Sequence, residues 1–135
     1  MDPKMDIAVI EECTRLAFED NMTFPETVGK LNAIGVERYH ADLGRLQKTY
    51  YSVSNEVVEL PLPLSQPPAI GKEFSEGDVV GALRAIQSGK IGYGEFLRRI
   101  MKGGAVAYDV FLSGRKAIYT GRKGEFYVEN FPENK

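Results

Sequence analysis

The chain is poor in the residues that build the commonest reactive centres: its 135 residues include one cysteine, Cys13, and one histidine, His40. A lone cysteine cannot close an internal disulfide, so thiol usage favours a reducing compartment. One of each also excludes a metal site made from several His or Cys ligands. No P-loop pattern occurs, and the glycines at Gly89, Gly92 and Gly94 open a helix without the strand that a dinucleotide fold requires. No apolar run approaches the ~20 residues needed to span a bilayer, and Met1 to Asp6 is polar. The expectation is a cytoplasmic chain with no signal peptide and no membrane partner. A net charge of −2 gives no overall attraction to nucleic acid.

What is present fits one soluble domain over residues 1–135, with 43% hydrophobic and 27% charged residues. A chain of this size buries roughly two-thirds of its unfolded surface, so folding needs neither disulfides nor a metal, and no cofactor is expected. Charge is uneven along it. Residues 1–68 hold eleven acidic and six basic side chains, and residues 69–135 hold eight acidic and eleven basic. Such a split means either complementary lobes or a basic face that meets an acidic partner.

Apolar spacing predicts a helix over Met5 to Asp20, with Ile7, Ile10, Cys13, Leu16 and Ala17 on one stripe. A second helix opens at Thr23, with Pro25 in the first turn and Glu26 at capping-box spacing. Phe24, Val28, Leu31 and Ile34 mark its buried side, and Gly35 ends it. The period then changes to two, predicting strands over Val36 to Leu43, Gln47 to Val53 and Glu56 to Leu60. The segment PLPLSQPPAIG reads as an extended connector. The same order follows: helices from Ser75 to Gly89 and Tyr93 to Lys102, then strands at Ala105 to Leu112, Lys116 to Thr120 and Glu125 to Glu129.

An offset of 69 residues brings Gly35 onto Gly104, Tyr39 onto Tyr108, Leu43 onto Leu112 and Tyr50 onto Tyr119. The expected fold is therefore α+β, a tandem duplication of an ααβββ unit. Its pseudo-repeats cover about 5–63 and 74–132, forming antiparallel sheets with helices packed on one face.

Residues 12–51, together with RAIQSGKIGYGEFLRRIMKGG and GRKAIYTGRKGEFYVENFP, resemble the YdfO-like family of uncharacterised, prophage-associated bacterial proteins. Some of its members are labelled phage envelope protein. The resemblance runs from about Met5 to Pro132 and implies a compact α+β domain with no established reaction. It assigns no site residues.

Strand alternation sets Arg38, His40 and Asp42 on one face and Tyr39, Ala41 and Leu43 on the other. A histidine among carboxylates is a candidate general base, and the offset of 69 pairs His40 with Asp109. His40, Asp42 and Asp109 are thus the weak catalytic candidates, against the plainer reading of a polar outer sheet face. Arg38, Tyr39 and Tyr108 are weak candidates for contacts to a small ligand. Cys13 lies on an apolar helical stripe, where a thiol packs as a small hydrophobe. Arg98, Arg99, Arg115, Lys116, Arg122 and Lys123 are candidates for phosphate contacts, and tyrosines nearby in sequence would stack on bases. With no catalytic constellation, the sequence favours a non-enzymatic binding or interaction module. A protein partner or self-association is preferred to nucleic acid. A ligand-binding protein or enzyme around His40 and a nucleic-acid binder are the alternatives.

Overall fold

A computed structural model describes residues 5–132, and in it Asp6, Thr23 and Ser75 start three helices by one device. Each side-chain oxygen accepts from a backbone N–H that the first helical turn leaves without a partner: Ala8 at 3.0 Å, Glu26 at 3.3 Å and Asp78 at 3.1 Å. At Thr23 the Glu26 carboxylate accepts in return from the Thr23 N–H at 3.0 Å, completing the expected capping box. These helices are α1 (Ile7–Phe18), α2 (Phe24–Ala33) and α3 (Glu76–Gln87). The fourth, α4 (Tyr93–Lys102), begins at Gly92, which has no side chain to offer. Asp20, in the turn after α1, accepts from the Tyr93 N–H at 3.3 Å instead. A Cβ on Gly92 would lie 2.1 Å from that carboxylate, so glycine leaves the room it needs. The domain bounds expected at 1–135 extend past the described residues at both ends.

Six strands follow the helices in two sets: β1 (Val36–Asp42), β2 (Gln47–Ser52) and β3 (Val57–Pro61), then β4 (Ala105–Phe111), β5 (Lys116–Gly121) and β6 (Phe126–Asn130). They form one antiparallel sheet in the order β3-β2-β1-β4-β5-β6, so β1 and β4 make the central seam. The fold is α+β, and both sets of strands belong to this one sheet. Tyr39, Ala41, Tyr50, Tyr108, Val110, Ala117 and Tyr119 point inward and are buried. They share a single core with Ile10 of α1, Leu31 of α2, Val79 of α3 and Leu97 and Ile100 of α4. The helices therefore cover one face of the sheet.

The other face is open among the described residues. Its register is read directly from the cross-strand pairs. The middle row runs Glu59, Thr49, His40, Asp109, Ile118, Val128. One flanking row runs Val57, Tyr51, Arg38, Phe111, Lys116, Asn130, and the other Pro61, Gln47, Asp42, Ala107, Thr120, Phe126. Val57 and Phe126, at opposite outer strands, are 60% and 64% exposed.

Backbone irregularities recur at the spacing of 69. Left-handed φ angles pair Asp20 (60°) with Gly89 (75°), Gly35 (86°) with Gly104 (93°), Leu46 (53°) with Arg115 (57°) and Asn55 (69°) with Gly124 (82°). The register breaks between Val36 and Arg38 and again between Ala105 and Ala107. Across the seam the Leu43 N–H donates to Val106 and the Leu112 N–H to Glu37, both at 2.9 Å.

One local expectation changes. Phe24, placed on the buried side of α2, is the first residue of that helix and is 45% exposed, meeting Phe131 just after β6 edge-on at 5.3 Å. The proline-rich connector is docked toward both ends. Leu62 and Leu64 are buried, the Gly71 N–H donates to Met101 at 2.9 Å, and Arg122 donates to the carbonyls of Ile70 and Gly71 at 2.8 and 3.1 Å.

Candidate functional site

The β1–β4 register sets His40 directly opposite Asp109 at the middle of the open face. Their side chains meet, with His40 Nδ1 2.7 Å from Asp109 Oδ1. Both are about one-third exposed, so the pair sits on the sheet surface in contact with water. Such a bond fixes the orientation of the imidazole and leaves Nε2 as its free position. Asp42 shares the face but turns toward its own hairpin, accepting from the N–H groups of Gly44 and Arg45, each at 3.0 Å. Arg38, one row away, lies 3.9 Å over the ring of Tyr51.

A shallow depression of about 240 Å³ adjoins this row, lined by Glu37, Arg38, Phe111, Ser113, Gly114 and Lys116. A larger open groove of about 570 Å³ lies far from the pair in sequence, along the C-terminal half of α3 from Gly81 to Lys90. Neither is lined by His40 or Asp109.

Tyr39 and Tyr108 stand on the helix side of the sheet, each 3% exposed, so the sheet separates them from Arg38. Five of the six basic candidates are dispersed among local partners. Arg98 donates to Ser65 and Glu95, Arg99 to Glu95, Arg115 to the Pro132 carbonyl, Arg122 to the connector, and Lys123 to Glu73. Lys116 projects from the open face beside Phe111.

Lys48 is the residue that sequence reasoning missed. It is 7% exposed on the inner face of β2, with Nζ 4.9 Å from the ring centres of both Tyr39 and Tyr93. Ring faces attract an ammonium, but burial opposes the charge. No carboxylate pairs with Lys48 among the described residues, and burial pushes its amine down to about 7. Around it Tyr93 and Tyr108 share a hydroxyl–hydroxyl hydrogen bond, and Tyr108 stacks on Tyr119 at 5.4 Å. Burial holds all of these phenols protonated, pushing Tyr50 up to about 12 and Tyr39 and Tyr108 well above the ordinary range. The signal was available in the alternation: Lys48 has the parity of Tyr50 and Ser52, which face the core.

Cys13 is also buried, on the inner stripe of α1, and desolvation pushes its thiol up. Among the described residues no helix is long and apolar enough to cross a membrane. No group of three or more His, Cys, Asp or Glu side chains among them is placed to hold a metal ion.

No family model matches the chain. Over 108 residues it is 29% identical to an uncharacterised protein of Mycobacterium bovis and, equally, to one of Mycobacterium tuberculosis. The matched stretch covers 80% of this chain and 66% of each relative, which are thus longer proteins.

Proposed function

We propose that the chain is a non-enzymatic interaction module whose working surface is the open face of the sheet. The observation that supports this best is the uncovered, mixed-polarity face itself. It surrounds the His40–Asp109 pair with Tyr51, Phe111, Ile118 and Val128, and leaves Phe126 and Val57 largely in solvent. Apolar side chains left in water beside polar ones are typical of a surface that binds another macromolecule. The lack of a cavity lined by the His40–Asp109 pair favours a broad protein partner over a small substrate, which needs a concave site.

A second reading keeps His40 as a general base held in place by Asp109, and the 2.7 Å contact is what favours it. We further read the chain as a tandem duplication and a YdfO-like relative of prophage origin, working in the cytoplasm. The repeated ααβββ order, the paired left-handed residues and the matching register breaks support duplication. The family reading rests on the sequence segments alone, and the buried free thiol fits a reducing compartment.

Site-specific photo-crosslinkers at Thr120 on the open face and at Glu76 on the helix layer test the module reading in living cells. Protein adducts from Thr120 and none from Glu76 are expected. Adducts from Glu76 alone, or from neither, overturn it.

A further inference from the structure

We infer that the open face is covered by the same face of a second copy of this chain, seated so that the first half of each copy meets the second half of the other. This rests on the interaction-module reading and names its partner.

The backbone narrows the seating to two. Paired residues across the β1–β4 seam have numbers that sum alike, and the pair at its centre, His40 and Asp109, is also the pair separated by 69. The sheet therefore has an approximate two-fold axis through that pair, perpendicular to its plane. A second sheet stacked face to face with aligned strands then fits in two ways that differ only by exchanging its halves. Side chains must choose between them.

With like halves facing, the middle row sets Glu59 on Glu59 and Asp109 on Asp109 of the two copies, juxtaposing like charges in a closed interface. Exchanging the halves removes both conflicts and gives up only the Arg38–Asp42 facing that like halves bring. Asp109 then faces His40 of the other copy, and Lys116 faces Tyr51. Gln47 faces Thr120.

The area is sufficient. Six strands about 4.8 Å apart and three outward residues deep give a flat footprint on the order of 500 Å². Side-chain relief raises this toward the roughly 800 Å² per partner of an ordinary stable interface. Phe126, otherwise the most exposed large apolar side chain, is then shielded against Pro61 of the other copy.

Analytical ultracentrifugation over a wide concentration range should find a reversible dimer. Phe126→Asp and Ile118→Lys should each weaken it about tenfold or more while circular dichroism and Tm stay close to those of the parent chain. Phe126 is exposed enough that its variant retains the fold. The seating is read by mixing a Gln47→Cys chain with a Thr120→Cys chain and adding a short bismaleimide. Cross-linked dimer from the mixture, and little from either variant alone, is expected. A parent chain that stays monomeric, a dimer unaffected by both variants, or cross-linking confined to single-variant samples overturns the inference. A monomeric parent that still gives Thr120 adducts to other proteins removes the second copy and leaves the module reading standing. Loss of all Thr120 adducts removes both.

Discussion

Lys48 Nζ lies 4.9 Å from the centre of the Tyr93 ring, so an amine on the inner face of β2 packs against the first turn of α4. The contact brings a basic group into the core from the first half of the chain and an aromatic surface from the second. Ala117 occupies the corresponding position 69 residues on, so the second half has no counterpart to this amine.

Burial pushes the Lys48 amine down to about 7, well below the 10.5 of the unfolded chain. Between those two values the unfolded state binds more protons, so stability rises with pH across that window and the penalty is complete below it. The buried tyrosines Tyr39, Tyr50, Tyr108 and Tyr119 oppose this only above about pH 10, where unfolded phenols begin to ionise. Lys48→Met should therefore stabilise the protein at pH 7 by roughly 1–3 kcal/mol. It should also flatten the rise in stability from pH 7 to 9. Urea titrations of both chains at several pH values check the sign and the slope.

Cys13 is 3% exposed, and its thiol is pushed up by desolvation. Maleimide labelling of the folded protein at neutral pH should be slow and should accelerate on adding denaturant. Cys13→Ser places a hydroxyl in apolar surroundings and should cost about 1–3 kcal/mol. Mass spectrometry of labelling time courses reads the first expectation, and thermal unfolding the second.

Gly104 has φ 93°, and a Cβ there would lie 2.2 Å from the Glu73 carbonyl oxygen, a backbone atom with little room to yield. Gly104→Ala should destabilise by about 1–3 kcal/mol or more. Gly89→Ala is the matched control: its φ is 75° but no atom lies within 4 Å of the added methyl. The difference between the two variants in urea midpoint isolates the clash from the backbone strain.

Asp20 caps α4 from outside it, through the Tyr93 N–H. Asp20→Ala should cost about 0.5–2 kcal/mol. Hydrogen exchange should show the loss in the first turn of α4, with α1 little changed.

All ten elements were legible as periodicities because each amphipathic segment carries its own signal: Thr23 with Glu26, Ser75, and the alternation of Tyr39, Ala41 and Leu43. The joining of both strand sets at β1–β4 was not legible, since hairpin turns fix register only within each set. The offset that aligned His40 with Asp109 nevertheless anticipated their contact. Grouping Arg38 with Tyr39 and Tyr108 as one ligand surface ran against the same alternation, which sends them to opposite faces. Lys48 was overlooked because a lysine is expected at the surface, whatever parity it holds. Phe24 went astray because its partner, Phe131, lies far along the chain.

The docked connector changes what the peptide bond between the halves contributes. Its ends are anchored by Leu62, Leu64 and the Arg122 contacts, whereas Ser65, Gln66 and Pro67 stand exposed, Gln66 with φ 51°. The halves are held by the β1–β4 ladder and a common core, contacts that do not require a continuous chain. Cleaved at Gln66, the molecule would persist as a complementing pair of fragments, and its two segments would serve as the halves of a split reporter.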